Sequence, residues 1–213
     1  VLEVPVTVDE VKVSFFDGTG SIRGFRIDNP DGFDEPHALV VDELSIELNN
    51  SSLGTDVIHI RDILLDGPLI VFEGGLSDNN LGQLQENIEK HIPSSEEDET
   101  VASDDHGAPA PNVRIDRFRL QNAEVRVSLD ALDEPLSLTL SSLELNDFGT
   151  EDASVAAVSG RILDGIKDAI QPLVQDKVEE EAKAKVKEKA KEAMDDAKDK
   201  AKEKLGDKLK GLF

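Results

Sequence analysis

The residues that could do chemistry are few and scattered. His37, His59, His91 and His106 are the four histidines, and none stands at metal-ligand spacing from another. His59 alternates with Ile58 and Ile60, so a strand there would turn its ring to solvent. Asp28, Asp31, Asp34 and Glu35 offer oxygens suited to Ca²⁺, but without EF-hand spacing they read first as a solvated acidic loop. Arg114, Arg117, Arg119 and Arg126 flank apolar strand positions. They suit either anionic headgroups at a groove rim or a paired outer face. There is no G-x-S-x-G, no phosphate-binding loop and no dinucleotide fingerprint. No catalytic residue, metal site or cofactor is expected, and no enzyme. The chain has no Cys, and its net charge of −23 argues against nucleic acid as a partner.

The informative pattern is apolar. Val57 to Phe72 reads as two strands and a turn: Ile58, Ile60, Ile63 and Leu65, then Asp66-Gly67-Pro68, then Ile70 and Phe72. The same text returns 55 residues later as Val113, Ile115, Phe118 and Leu120, then Gln121-Asn122-Ala123, then Val125 and Val127. Each first strand reads apolar, x, apolar, x, x, apolar, x, apolar. A plain strand would turn its second half outward at the three-residue step, whereas a β-bulge absorbs the extra residue. The signature recurs at Val6, Val8, Val11, Val13; at Leu39, Val41, Leu44, Ile46; and at Leu138, Leu140, Leu143, Leu145. The expected fold is α+β, a strongly curved, bulged antiparallel sheet with one oily, groove-like face built from two repeat units. An ordinary sandwich of shorter strands is the alternative.

The remaining elements follow in order. Val4 to Phe16 should be one bulged strand, with Ser21 to Ile27 its return, Asn29 to Pro36 a loop, and Leu39 to Leu48 a strand. Leu81, Leu84 and Ile88 have helical spacing, with Ser77, Asp78 or Asn79 as N-cap. Val113 to Leu120, Ala123 to Leu129 and Leu136 to Asn146 should be three strands. Val155, Val158, Ile162, Ile166, Ile170 and Leu173 form an amphipathic stripe that Pro172 should kink or end. From Asp176 on, the composition is Ala, Lys, Glu and Asp, with an 11-residue period suited to a long helix. That tail carries 12 Lys against 11 acidic residues, while the body before it carries 11 basic residues against 35 acidic ones. The expected organisation is a first β unit at 1–92 and an acidic flexible linker at 93–111. A second β unit of the same sheet follows at 112–150, then a covering helix at 151–175 and a charged helical tail at 176–213.

Eight strands would offer one face of roughly 750 Å². The covering helix hides under about 300 Å² of it. An apolar groove should remain, lined by Val11, Val13, Val41, Leu44, Ile46, Ile58, Ile60, Ile63, Leu65, Ile70, Phe72, Val113, Ile115, Phe118, Leu120, Leu140, Leu143 and Leu145. No run of 18 apolar residues occurs, and the absence of Met at Val1 suggests that a preceding segment was removed.

Three segments carry a resemblance: I-x-N-P-x-G-F-x-x-P-x-A-L (27–39), I-x-I-R-x-I-x-L-D-G-P-x-I-x-F-E (58–73) and N-N-L-x-x-L-x-E-N-I (79–88). Together they resemble the N-terminal region of AsmA-family proteins, and V-R-I-D-R-F-R-L-x-N-A (113–123) resembles a downstream element of that family. The resemblance implies a taco-shaped β-groove, an anchor in the inner membrane of a Gram-negative bacterium before Val1, and a periplasmic body. It further implies a non-enzymatic role in lipid movement or outer-membrane biogenesis, with phospholipid acyl chains as partners. It brings no catalytic residues. Large members of the family build longer grooves than two short units allow. The alternative is a scaffold whose C-terminal helix binds a protein partner or a membrane surface.

Overall fold

The computed structural model describes residues 1–92, 112–129, 132, 134–148 and 153–210. The expected linker at 93–111, His106 and the last three residues lie outside the described residues. The chain divides into two units, Val1–Pro172 and Leu173–Phe213.

The first unit is α+β, built on a large curved, mainly antiparallel sheet of eight strands. In chain order these are β1 (Val6–Thr7), β2 (Glu10–Ser14), β3 (Thr19–Asp28), β4 (His37–Leu48), β5 (Val57–Asp66), β6 (Leu69–Gly74), β7 (Asn112–Leu129) and β8 (Leu136–Phe148). A short 3-10 turn covers Asn50–Ser52. Helix α1 spans Asn80–Glu89, and Asn79 caps it by accepting from the Gly82 amide at 2.9 Å. Helix α2 spans Val155–Lys210 with Pro172 inside it, so the proline does not end the helix although it has no amide to donate to the preceding turn. The division between the two units falls at that proline.

Two sequence expectations are overturned by the pairing. Asp66-Gly67-Pro68 is not a hairpin turn. Strands β5 and β6 run end to end in one direction, and both pair in parallel with β7 at a constant offset of 55 residues. Likewise Gln121-Asn122-Ala123 is not a turn, because β7 is one strand of 18 residues. Gly67 (φ 66°) and its neighbour Asn122 (φ 52°) are both left-handed, so each strand kinks without reversing. The Gly67 amide donates to the Gln121 carbonyl at 2.9 Å, and the Glu124 amide donates to the Pro68 carbonyl at 2.9 Å, so the ladder closes across the kink. The sheet is therefore not wholly antiparallel.

The first strand is also two pieces, β1 and β2, and both pair with β3 on a single register. A register shift appears between β4 and β5 at Glu47/Leu48, opposite the three-residue step from Ile60 to Ile63. At most other steps the neighbours slip together. Gly24 (φ 61°) stands between Asp9 and Asp42, and Asp42 stands beside Gly67. Asn122 continues that line to Ser141. Left-handed residues on three of the strand lines, at Gly24, Gly67 and Asn122, thus carry one fold line across the sheet with no net loss of register. A side chain at Gly24 would fall on the Asp9 carboxylate, which accepts two hydrogen bonds from Arg26 at 3.1 Å.

The steps keep one face inward. On β7 the buried residues are Ile115, Phe118, Leu120, Ala123, Val125, Val127 and Leu129, with a three-residue step at each end of the first half. Leu81, Leu84 and Ile88 of α1 and Ala156, Val158, Ile166 and Ile170 of α2 are buried as well. Each large apolar side chain removed from water contributes about 1.5–3 kcal/mol.

Candidate functional site

The helices do not fill the space over the sheet. A partly enclosed cavity of about 310 Å³ remains between them. Its floor is Ile22, Phe25 and Ile27 of β3, Leu39, Leu44 and Ile46 of β4, Ile63 and Leu65 of β5, Ile70 of β6 and Phe118 of β7. Its roof is Leu81, Leu84 and Ile88 of α1 and Ser159, Ile162, Leu163 and Ile166 of α2, with Leu2 and Ala38 completing the wall. Ser159 is the single polar side chain in that lining. Small residues set the helix position: Gly160 stands within contact of Ile88, and a side chain on Gly165 would strike Leu145.

Of the residues predicted to line a groove, Leu44, Ile46, Ile63, Leu65, Ile70, Phe118, Ile162 and Ile166 meet in this cavity. Val41, Phe72, Ile115, Leu120, Val158 and Ile170 are buried elsewhere in the packing. Ile58, Ile60, Val113, Leu140, Leu143, Leu145 and Leu173 are half-buried and do not line it. Val11 and Val13 are 60% and 44% exposed, because β2 is a border strand with no helix over it. Val155 is 45% exposed at the start of α2. Ile22, Phe25 and Ile27 were missed, although Ile22-x-x-Phe25-x-Ile27 carries the same three-residue step as the strands that were noticed.

The charged candidates are engaged in structure. Asp62, 4% exposed at its side chain, accepts from Arg117 Nε at 2.6 Å and from Arg119 Nη2 at 2.5 Å. The Arg119 hydrogen bond holds the Asp62 carboxyl below its usual range against the upward push of burial, and Arg117 adds to it. Arg114 pairs with Asp116 at 3.1 Å and Arg126 with Glu35 at 3.7 Å. All four arginines are thus paired.

His59 does not point free into solvent. Its Nε2 lies 2.7 Å from Asp116 Oδ2, and Asn49 Nδ2 donates to its Nδ1 at 3.1 Å. Both ring nitrogens are occupied, so the ring has no lone pair left for a general base. Burial pushes the Asp116 carboxyl up, but the bonds from His59 and Arg114 together hold it below its usual range.

The acidic loop is tied down through its backbone. Glu73 accepts from the amides of Asp34 at 2.6 Å and Glu35 at 3.0 Å, and from Asn29 Nδ2 at 3.1 Å. Asn80, fully buried, accepts from the Glu73 amide at 3.0 Å and donates to Val71 O at 2.9 Å and Asn29 Oδ1 at 2.7 Å. Among the described residues no group of three or more His, Asp or Glu is arranged to hold a metal ion. Among them, too, no helix is long and apolar enough to cross a membrane.

No family model matches this chain, and no curated protein shows significant similarity to it.

Proposed function

We propose that the Val1–Pro172 unit is a non-enzymatic binder of acyl chains, with the cavity under α1 and α2 as its site. The observation that carries this is a lining of apolar side chains interrupted by Ser159 alone. A cavity of about 150 Å³ lined by Leu, Ile and Phe accepts one benzene, so about 310 Å³ has room for roughly a dozen carbons. That is one alkyl chain of a fatty acid or phospholipid, with the headgroup outside. In this reading the curved sheet is a short groove of two repeat units, β5–β6 and β7, and α2 is its lid.

The resemblance to the AsmA family supports extending the reading to lipid movement in the periplasm of a Gram-negative bacterium, beside an inner-membrane anchor. The segments that carry the resemblance are joined by the Asn29–Glu73–Asn80 hydrogen bonds, and Phe33 packs on Gly74.

The test is native mass spectrometry of the full chain with a saturated 12-carbon fatty acid, roughly the length the volume allows. A one-to-one adduct is expected. Leu163→Trp, which fills the cavity from the half-buried roof, should abolish the adduct and leave thermal stability equal or higher. Absence of any adduct, or uptake undiminished by Leu163→Trp, would sink the proposal.

A second reading concerns the Leu173–Phe213 unit. Val186 and Met194 are 69% and 60% exposed and lie eight residues apart, on one helix face. They favour a scaffold role in which that face meets a protein partner.

A further inference from the structure

Among the described residues, half of the large apolar side chains that remain exposed belong to one short stretch, Val6, Val8, Val11, Val13, Phe15 and Phe16, at 41% to 99%. Strand β2 borders the sheet, and among the described residues no strand pairs with its outer edge. The opposite border, β8, is unlike it: its leucines are half covered and Ser, Thr and Glu alternate with them. Val11 pairs with Ile22 and Val13 with Gly20, so both valines stand on the cavity face and Glu10 and Lys12 on the other. Edge strands are commonly guarded by an isolated charge, often Lys. Here Lys12 Nζ sits 2.9 Å from Glu10 Oε2, so the edge is nearly neutral.

We propose that a second copy of this chain pairs with it, β2 against β2, antiparallel about a twofold axis at Val11. Charge complementarity selects that register. It sets Val11 against Val11, and each Glu10 faces Lys12 of the second copy, giving two attractive cross-strand pairs. An axis at Lys12 would set lysine against lysine, and one at Glu10 would set glutamate against glutamate. An axis between residues would turn the valines of the two copies to opposite faces. The pairing is isologous and closes on itself. The apolar faces of the two sheets become continuous.

The chain has no Cys, so single cysteines report the register. Directly opposed residues of antiparallel strands have Cα atoms about 4.5–5.5 Å apart, which is within disulfide reach. Two Val13 positions are offset by four residues, roughly 13 Å along the strand. Val11→Cys should therefore form a covalent dimer under mild oxidation, and Val13→Cys should not. Both positions are exposed, so neither change threatens folding. Sedimentation of the full chain should show a reversible dimer. Glu10→Lys alone and Lys12→Glu alone should each weaken it about tenfold or more. An equimolar mixture of those two variants should recover it, since each like-charged edge then meets its opposite. The proposal is overturned if the chain is monomeric at all concentrations, or if both cysteine variants cross-link equally. It is also overturned if the monomer instead binds neutral phospholipid vesicles through Phe15 and Phe16.

Discussion

Strands β5–β6 and strand β7 carry nearly the same apolar text, lie side by side, and differ where they must. The constant offset makes every residue a neighbour of its own counterpart: Ile63 beside Phe118, Leu65 beside Leu120, Ile70 beside Val125, Phe72 beside Val127. Apolar identity is harmless in that arrangement, because both faces need the same burial. Charge identity is not, since strands lie only about 4.8 Å apart and like charges would repel. The counterparts are accordingly opposite in sign: between the pairs at Ile60 and Ile63, Arg61 and Asp62 run beside Asp116 and Arg117. A second difference falls at the kink. Gly67 and Asn122 share the left-handed backbone, but Pro68 follows one and Ala123 the other. Proline has no amide to give, so the first run breaks into two strands while the second stays whole. The third difference is at the far end, where the first run has Glu73 and the second has Ser128. Shared residues fix the face; unshared ones fix register, continuity and what each run is tied to.

The most severe way to break the comparison is at that far end. Asn80→Ala removes three hydrogen bonds from a fully buried side chain and leaves the Glu73 amide and Val71 carbonyl without it. A loss of about 3–5 kcal/mol is expected in urea unfolding. Ser128→Ala, at the counterpart of Glu73, should stay within about 0.5 kcal/mol. Equal costs for the two would mean that the polar knot does not distinguish the runs.

A smaller effect is expected between the runs. Asp62→Asn keeps the shape but removes the charge facing Arg117 and Arg119, and about 1–3 kcal/mol should be lost at neutral pH. The carboxyl titrates lower folded than unfolded, so its contribution is present above its unfolded value, ~3.9, and is lost as pH falls through the folded one. The difference between wild type and Asp62→Asn should therefore shrink below about pH 4. A difference that grows on acidification would refute the assignment.

Local signals in the sequence were readable and non-local ones were not. The strand positions, the three-residue steps and the Asn79 cap follow from spacing and residue type within a few positions. The direction of β6 was lost because a left-handed residue in mid-strand uses the same Gly and Asn that a hairpin turn uses. Border position is a property of topology, so nothing local marked Val11 and Val13 as exposed while Leu44 and Ile46 lined the cavity. The His59–Asp116 pair was implicit in the repeat: His59 lies beside Arg114, and Asp116 is two residues along on the same face. Reading the repeat as parallel neighbours, rather than as two separate hairpins, would have exposed it.

The finest test is at the kink itself, where two residue types hold one conformation. A side chain at Gly67 meets nothing within 4 Å, so Gly67→Ala carries only the left-handed backbone cost, about 1 kcal/mol. Asn122 already tolerates that backbone and donates to Asp66 Oδ1 at 2.8 Å from an exposed position. Asn122→Gly gives up that bond but relaxes the backbone, and its net effect should stay within about 0.5 kcal/mol. Asn122→Ala loses both and should match Gly67→Ala. If the two kinks are one mechanical element, combining Gly67→Ala with Asn122→Ala should cost less than the two apart, because strain relieved in one strand is relieved in its neighbour. Strict additivity in a double-mutant cycle would instead make them two independent bends that merely share a row of the sheet.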